Sequence, residues 1–284
     1  MSRVAVAVVA AAVFALSGCT NDRAGPLVIR GLGLTATART EPLPTAAAMT
    51  AVLRAVGKTM RTSAAVTTVM TLRGTGTDLQ LGPLPRTITA AGAYSFAART
   101  GHLTVSISGG AIATIQERLF PRVVYIANLT SVRVGSWATL QRSTLRSHYL
   151  YRTAANVPSQ LLGLAAEADQ MAVDGHEVIA RAATTRYRGY VTGASLTRHL
   201  DVGAAQEVRL MELLGAQARR IEVWVDAAGR VARVRVGFHA TQGEQYVEES
   251  VQLDLTKFGT KVTTTRPPSR IQVAVRAVTG VLLG

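Results

Sequence analysis

Ile221-Glu222-Val223-Trp224-Val225-Asp226-Ala227-Ala228-Gly229-Arg230 decides the fold. Ile221, Val223 and Val225 alternate with Glu222, Trp224 and Asp226. That period of two puts one set of side chains on an apolar face and the other on a wetter one. Asp226 to Gly229 is a turn, because Gly229 takes positive φ without a Cβ penalty. The chain then runs back, with Ala232, Val234, Val236 and Phe238 on one face and Arg233 and Arg235 on the other. Val247, Val251, Leu253 and Leu255 form a further strand, ended by Phe258-Gly259. Trp224 reads as a packing residue on this sheet.

The same period recurs upstream. Val66, Thr68, Met70 and Leu72 share one face, as do Ile88, Ala90, Gly92, Tyr94 and Phe96, and then Leu103, Val105 and Ile107. Residues 122–128 and 136–140 predict two more strands. The short glycine- and proline-rich connections between them mark an antiparallel meander. Ahead of it, Thr45 caps a helix whose Met49, Val52, Leu53, Val56 and Met60 fall on one side. The middle of the chain is more helical. Pro158 to Met171 carries Leu161, Leu162, Ala165 and Ala168 at helical spacing, and Leu196, Leu200, Val208 and Met211 predict another helical stretch. There is no repeat of fixed period. The order of helix, strands, helices and strands predicts one α+β domain over residues 45–284. Its long, curved antiparallel sheet would carry the helices on its concave face.

The first residues predict export. Arg3 precedes an uncharged apolar run from Val4 to Leu16, which is too short for a bilayer span of about 20 residues but fits an export signal. Leu16-Ser17-Gly18-Cys19 then matches a bacterial lipobox, whose cysteine thiol takes a diacylglycerol. Cys19 is the only cysteine among 284 residues, and lipidation accounts for an unpaired one in an exported chain. Residues 1–18 are thus expected to be a signal peptide. Residues 19–44, with Gly25, Pro26, Gly31, Gly33, Pro42 and Pro44, are expected to be a lipidated cysteine and a tether. The net charge of +14 falls to +13 once Arg3 is removed, and favours anionic partners. For an exported chain these are lipid headgroups or cell-wall polymers. No aromatic-basic pattern or helix-turn-helix points to nucleic acid.

Three blocks bear a resemblance. Val173-Asp174-Gly175-His176-Glu177 with Thr184-Thr185-Arg186-Tyr187-Arg188-Gly189 is one. Glu222-Val223-Trp224-Val225-Asp226 with Gly229-Arg230-Val231 is the second. Asp254 to Val262 with Pro267-Pro268 is the third. In this order, behind a lipobox, they resemble actinobacterial lipoproteins of LolA-like fold, related to the mycobacterial LppX/LprAFG lipid-carrier group. Arg186 stands where that pattern usually has histidine, and the first block carries an insertion. Each block also has a structural reading: Gly175 and Gly229 serve turns, and the Thr184–Arg188 segment is a strand with a wet face. The blocks mark a fold and not an active site.

The resemblance implies a half-barrel sheet that wraps its helices around an apolar cavity for acyl chains of a membrane lipid or lipoglycan. With 48% apolar but only 5% aromatic residues, the chain has small side chains that leave room. Leu161, Leu162 and Leu164 are lid or cavity candidates, with core packing as their plainer role. The chain would act as a monomer held on the outer face of the cytoplasmic membrane. An anchored interaction protein, with a closed core and a surface for an envelope partner, is the competing reading. A cell-wall binder using the arginines is a third. The five histidines are scattered and none sits at metal-ligand spacing. No nucleophile motif is present, so no catalytic residue, metal or cofactor is expected.

Overall fold

The computed structural model describes residues 42–74, 77–78, 82–83, 86–108, 114–129, 132–141, 157–192, 218–242 and 245–274. Cys19, the signal and nearly all of the tether lie outside them, as does the helical stretch expected near Leu196 to Met211. Residues Glu41–Gly284 form one compact unit. Every described element and every buried core residue belongs to it, so this unit carries a core of its own.

Helix α1 (Ala46–Thr59) begins where expected, with the Thr45 hydroxyl accepting from the Ala48 N–H at 3.0 Å. Twelve strands form one open, curved sheet: β1 (Ser63–Gly74), β4 (Arg86–Ser95), β5 (Thr100–Ile107), β6 (Ile115–Leu119), β7 (Val123–Ala127), β8 (Trp137–Gln141), β9 (Asp169–Ile179), β10 (Ala182–Thr192), β11 (Ala218–Asp226), β12 (Val231–Gln242), β13 (Gln245–Thr256) and β14 (Gln272–Ala274). β2 (Thr77–Asp78) and β3 (Gly82–Pro83) make a separate small ladder. The order across the sheet is β14-β8-β7-β6-β5-β4-β1-β13-β12-β11-β10-β9. All neighbours are antiparallel except β14 and β8. The N-terminal meander and the C-terminal strands thus join through β1 and β13, whose register runs from Ala65 opposite Thr256 to Gly74 opposite Val247.

Helices α1 and α2 (Val157–Ala166) touch each other and pack over β1, β9 and β11–β13. The inward sets of β1 and β4–β13 join them in one core, among them Val66 and Met70 of β1, Ile88 and Tyr94 of β4, Ile221 and Val223 of β11, and Leu253 and Leu255 of β13. Close strand approach depends on Gly92 and Gly101. A Cβ on Gly92 would lie 2.0 Å from the His102 carbonyl oxygen, and one on Gly101 would meet the Tyr94 ring at 2.5 Å.

Several expectations are corrected. Helix α2 ends at Ala166 and does not reach Met171, which instead lies in β9. Gly175 serves no turn; it sits inside β9 at φ +125, beside a bulge opposite Arg186 and Tyr187. A bulge opposite Trp224 and Val225 turns Ala232 to the outer face with Trp224 and Ile179, while Val231 points inward. Strand β6 was not expected. In the final stretch from Ile271, whose role the sequence leaves open, Gln272–Ala274 add a short parallel strand beside β8.

Candidate functional site

The inner face of the sheet gathers apolar side chains beyond the strands on which the two described helices pack. α1 and α2 pack on the β1, β9 and β11–β13 half. The inward residues continue across β4–β8: Leu103 and Val105 of β5, Ile115 and Leu119 of β6, Val124 and Ile126 of β7, Ala138 and Leu140 of β8. All are at most 2% exposed. Alternation puts them there, since the strands of this half turn every second residue inward, apolar everywhere in this set except at Glu117 of β6.

Leu161, Leu162 and Leu164 are buried on α2 within the same core, together with Val52 and Val56 of α1. They sit between helix and sheet, the position that either a cavity wall or a closed core would give them.

Two polar groups lie within the apolar layer of the β4–β8 half. Glu117, 1% exposed, points inward between Leu103 of β5 and Ile126 of β7. Tyr94, fully buried, stacks edge-on against Phe96 at 5.0 Å, and its hydroxyl has no hydrogen-bond partner among the described residues. An unbonded buried hydroxyl is costly. Sequence reading placed Tyr94 on the right face but had no way to see its hydroxyl unpaired. It passed over Glu117 because Gln116-Glu117-Arg118 hides the strand.

The outer face is tied by ion pairs. Asp174 receives Arg186 at 3.0 Å and Arg188 at 2.6 Å. Arg186 also bonds Glu177, whose other oxygen accepts from Trp224 Nε1 at 3.1 Å. Asp254 receives Arg233, which lies over the Trp224 ring. Trp224, 4% exposed, packs on Ile179 and Ala232, as a structural tryptophan would. Arg186, at the position where the resembled pattern has histidine, is thus a structural cation.

The β11–β12 turn is bound to the third sequence block. The Asp226 carboxylate accepts from the Arg230 backbone and guanidinium, and Arg230 covers the Phe258 ring at 4.1 Å. A groove of about 540 Å³ near this turn is lined in part by His176, Glu177, Thr185 and Asp226. Its carboxylates are engaged by arginines, and His176 Nδ1 lies 3.3 Å from the Thr185 hydroxyl. Among the described residues no three His, Cys, Asp or Glu side chains form a group that could hold a metal ion, and no helix is long and apolar enough to cross a membrane.

Comparison with known proteins gives similarity in structure only. The chain is similar to LprF from Mycobacterium bovis, with 12% identity and a TM-score of 0.49 over 80% of this chain and 100% of that one. It is also similar to lipoprotein LppX from Mycobacterium tuberculosis, with 18% identity and a TM-score of 0.47 over 77% and 98%. A lipoprotein-sorting protein domain from Vibrio parahaemolyticus matches at 8% identity and a TM-score of 0.27 over 78% and 94%. No family profile and no curated protein matches the sequence.

Proposed function

We propose that this chain is an exported lipoprotein, anchored through Cys19 on the outer face of the cytoplasmic membrane, that holds lipid or lipoglycan acyl chains against the inner face of its sheet without chemistry. The observation that carries this reading is the apolar layer of β4–β8, which extends past the strands on which α1 and α2 pack and contains the Tyr94 hydroxyl, unpartnered among the described residues. Each methylene withdrawn from water there stabilises the complex by about 0.8 kcal/mol. An ester carbonyl or sugar hydroxyl bonded to Tyr94 would remove the cost of its buried oxygen. Leu161, Leu162 and Leu164 of α2 belong to the same core as that layer and are the candidate lid or cavity residues. The sequence resemblance to lipid carriers points the same way. The Cys19 anchor keeps a monomeric carrier beside its donor membrane, and no metal or cofactor is needed.

The test is to purify the unit Glu41–Gly284 from a related host and record its native mass, then extract and identify what it carries. One lipid per protein, with lower retention in Tyr94→Phe, supports the carrier. A bare mass, with no uptake from offered lipids, overturns it in favour of an anchored interaction protein. Cys19→Ser in the full chain should move the protein from the membrane to the soluble fraction.

A further inference from the structure

One end of the sheet carries a row of cations that no described carboxylate neutralises. Because strand direction alternates, the β4–β5, β6–β7, β9–β10 and β11–β12 turns, the α1–β1 junction and the exit of β13 all fall at that end. The register agrees, with Ser63 opposite Ser95, Gly101 opposite Leu119, Ala65 opposite Thr256 and Thr184 opposite Asp226. Arg61 occupies the α1–β1 junction, Arg99 and Arg122 the next two turns, and Arg181 the β9–β10 turn. Lys257 and Lys261 follow β13, and Lys58 reaches the β11–β12 turn, donating to the Ala228 carbonyl at 2.6 Å. All seven are exposed. With neighbouring strands about 4.8 Å apart, the row spans roughly 40 Å.

The acids nearest this rim are already used. Glu177 is held by Arg186, Asp226 by Arg230 and Asp254 by Arg233, all from within the sheet. None of the seven cations pairs with a described carboxylate.

The backbone supplies a second, independent observation. Arg99, Arg181 and Lys257 have φ of 54°, 71° and 46°. Ala180, at φ 48°, precedes Arg181, so the β9–β10 turn has positive φ at both central residues, a form that favours Asn-Gly. Glycine is used elsewhere at this same end, at Gly229 and Gly259. A cationic side chain at a left-handed position carries strain that glycine would avoid. Charge is thus kept at three rim positions against a conformational cost.

We propose that this rim docks the domain on an anionic lipid surface, as a contact separate from the Cys19 anchor and independent of any guest on the inner face. Cations at the tips of successive turns form a strip that a membrane surface meets together. Single-stranded nucleic acid would call for exposed aromatic platforms, whereas the rings Phe258 and Phe120 near this end lie beneath Arg230 and Arg266. The described chain starts at the opposite end, where the Thr45 N–H bonds the Met171 carbonyl. The rim is therefore a second foothold, about 21 Å of helix α1 away from that start.

The experiment is co-sedimentation of Glu41–Gly284 with phosphatidylcholine vesicles, with and without equimolar phosphatidylglycerol, at low and physiological ionic strength. Binding to the anionic vesicles alone, weakened by salt, is expected. One cation near such a surface is worth about fivefold in affinity, so the triple variant Arg99→Gly, Arg181→Gly, Lys257→Gly should bind about a hundredfold more weakly while its melting temperature holds or rises. Should that variant fail to fold, Arg61→Gln, Arg122→Gln, Lys261→Gln replaces it, with the same loss expected and no change of turn backbone. Arg235→Gln, exposed on the sheet's outer face, should bind as the parent does. Undiminished binding by a folded rim variant, equal loss in Arg235→Gln, or parent binding to soluble polyphosphate but not to anionic vesicles overturns the proposal.

Discussion

Thr59 joins two elements through one oxygen. Its hydroxyl donates to the Ala55 carbonyl at 2.8 Å and accepts from the Val231 N–H at 2.9 Å, fully buried between the last turn of α1 and the start of β12. Thr59→Val keeps the shape but strands the Val231 N–H, which should cost about 1–3 kcal/mol. Thr59→Ser should retain most of that, and urea midpoints of the two variants check it. Trp224 separates packing from hydrogen bonding in the same way. Trp224→Phe gives up the bond to Glu177 and should cost about 1 kcal/mol, whereas Trp224→Ala also empties the space against Ile179 and Ala232 and should cost about 3–5 kcal/mol. Equal losses in the two variants would mean that the indole holds the outer face by its N–H alone.

Glycines divide by what surrounds them in their element. Gly57 lies inside α1, and a Cβ added there would meet nothing within 4 Å, so Gly57→Ala should stabilise the fold by about 1 kcal/mol through helix propensity. Gly92→Ala would push a methyl into the His102 carbonyl and should destabilise by about 3 kcal/mol or more. Thermal melts with opposite shifts are the expected pair. Elements whose apolar residues follow an unbroken period were legible in the sequence: α1 from its cap at Thr45, β1, β4 and β5 from alternation, and the Asp226–Gly229 turn. Elements that break the period were not. Gln116-Glu117-Arg118 masks β6 because a buried carboxylate occupies an inward position. The bulge at Trp224 reverses Ala232, since one extra residue flips every later side chain. Ala168 and Met171 continue the helical spacing of α2 by chance, although the chain has already turned into β9. The Leu161, Leu162 and Leu164 stripe was visible from spacing; the Tyr94 hydroxyl was not, because satisfaction of a polar atom depends on neighbours brought from elsewhere. The cationic rim needed both strand direction and turn φ, and neither is written in a local pattern.

Charge acts on the unit Glu41–Gly284 as a whole. Four of the 31 Lys and Arg and one of the 17 Asp and Glu precede Glu41, so this unit carries 27 cations against 16 acids, a net of +11. Five described acids of the outer face, Asp174, Glu177, Glu222, Asp226 and Asp254, are held by arginines of the same face, whereas the seven rim cations have no described carboxylate partner. Like charges along one end repel one another in the folded state more than in the expanded chain. Salt screens that repulsion over a Debye length of about 10 Å at 0.1 M, a distance that takes in neighbouring strand turns. It also screens the ion pairs of the outer face, but those are half-buried and are weakened less. The repulsive term should therefore win, and the melting temperature of Glu41–Gly284 should rise by a few degrees when sodium chloride is raised from low to physiological ionic strength. Replacing rim cations should flatten that dependence, whereas Arg235→Gln should leave it nearly unchanged. A melting temperature that falls with salt would mean that ion pairs, and not the rim, set the electrostatic balance of the fold.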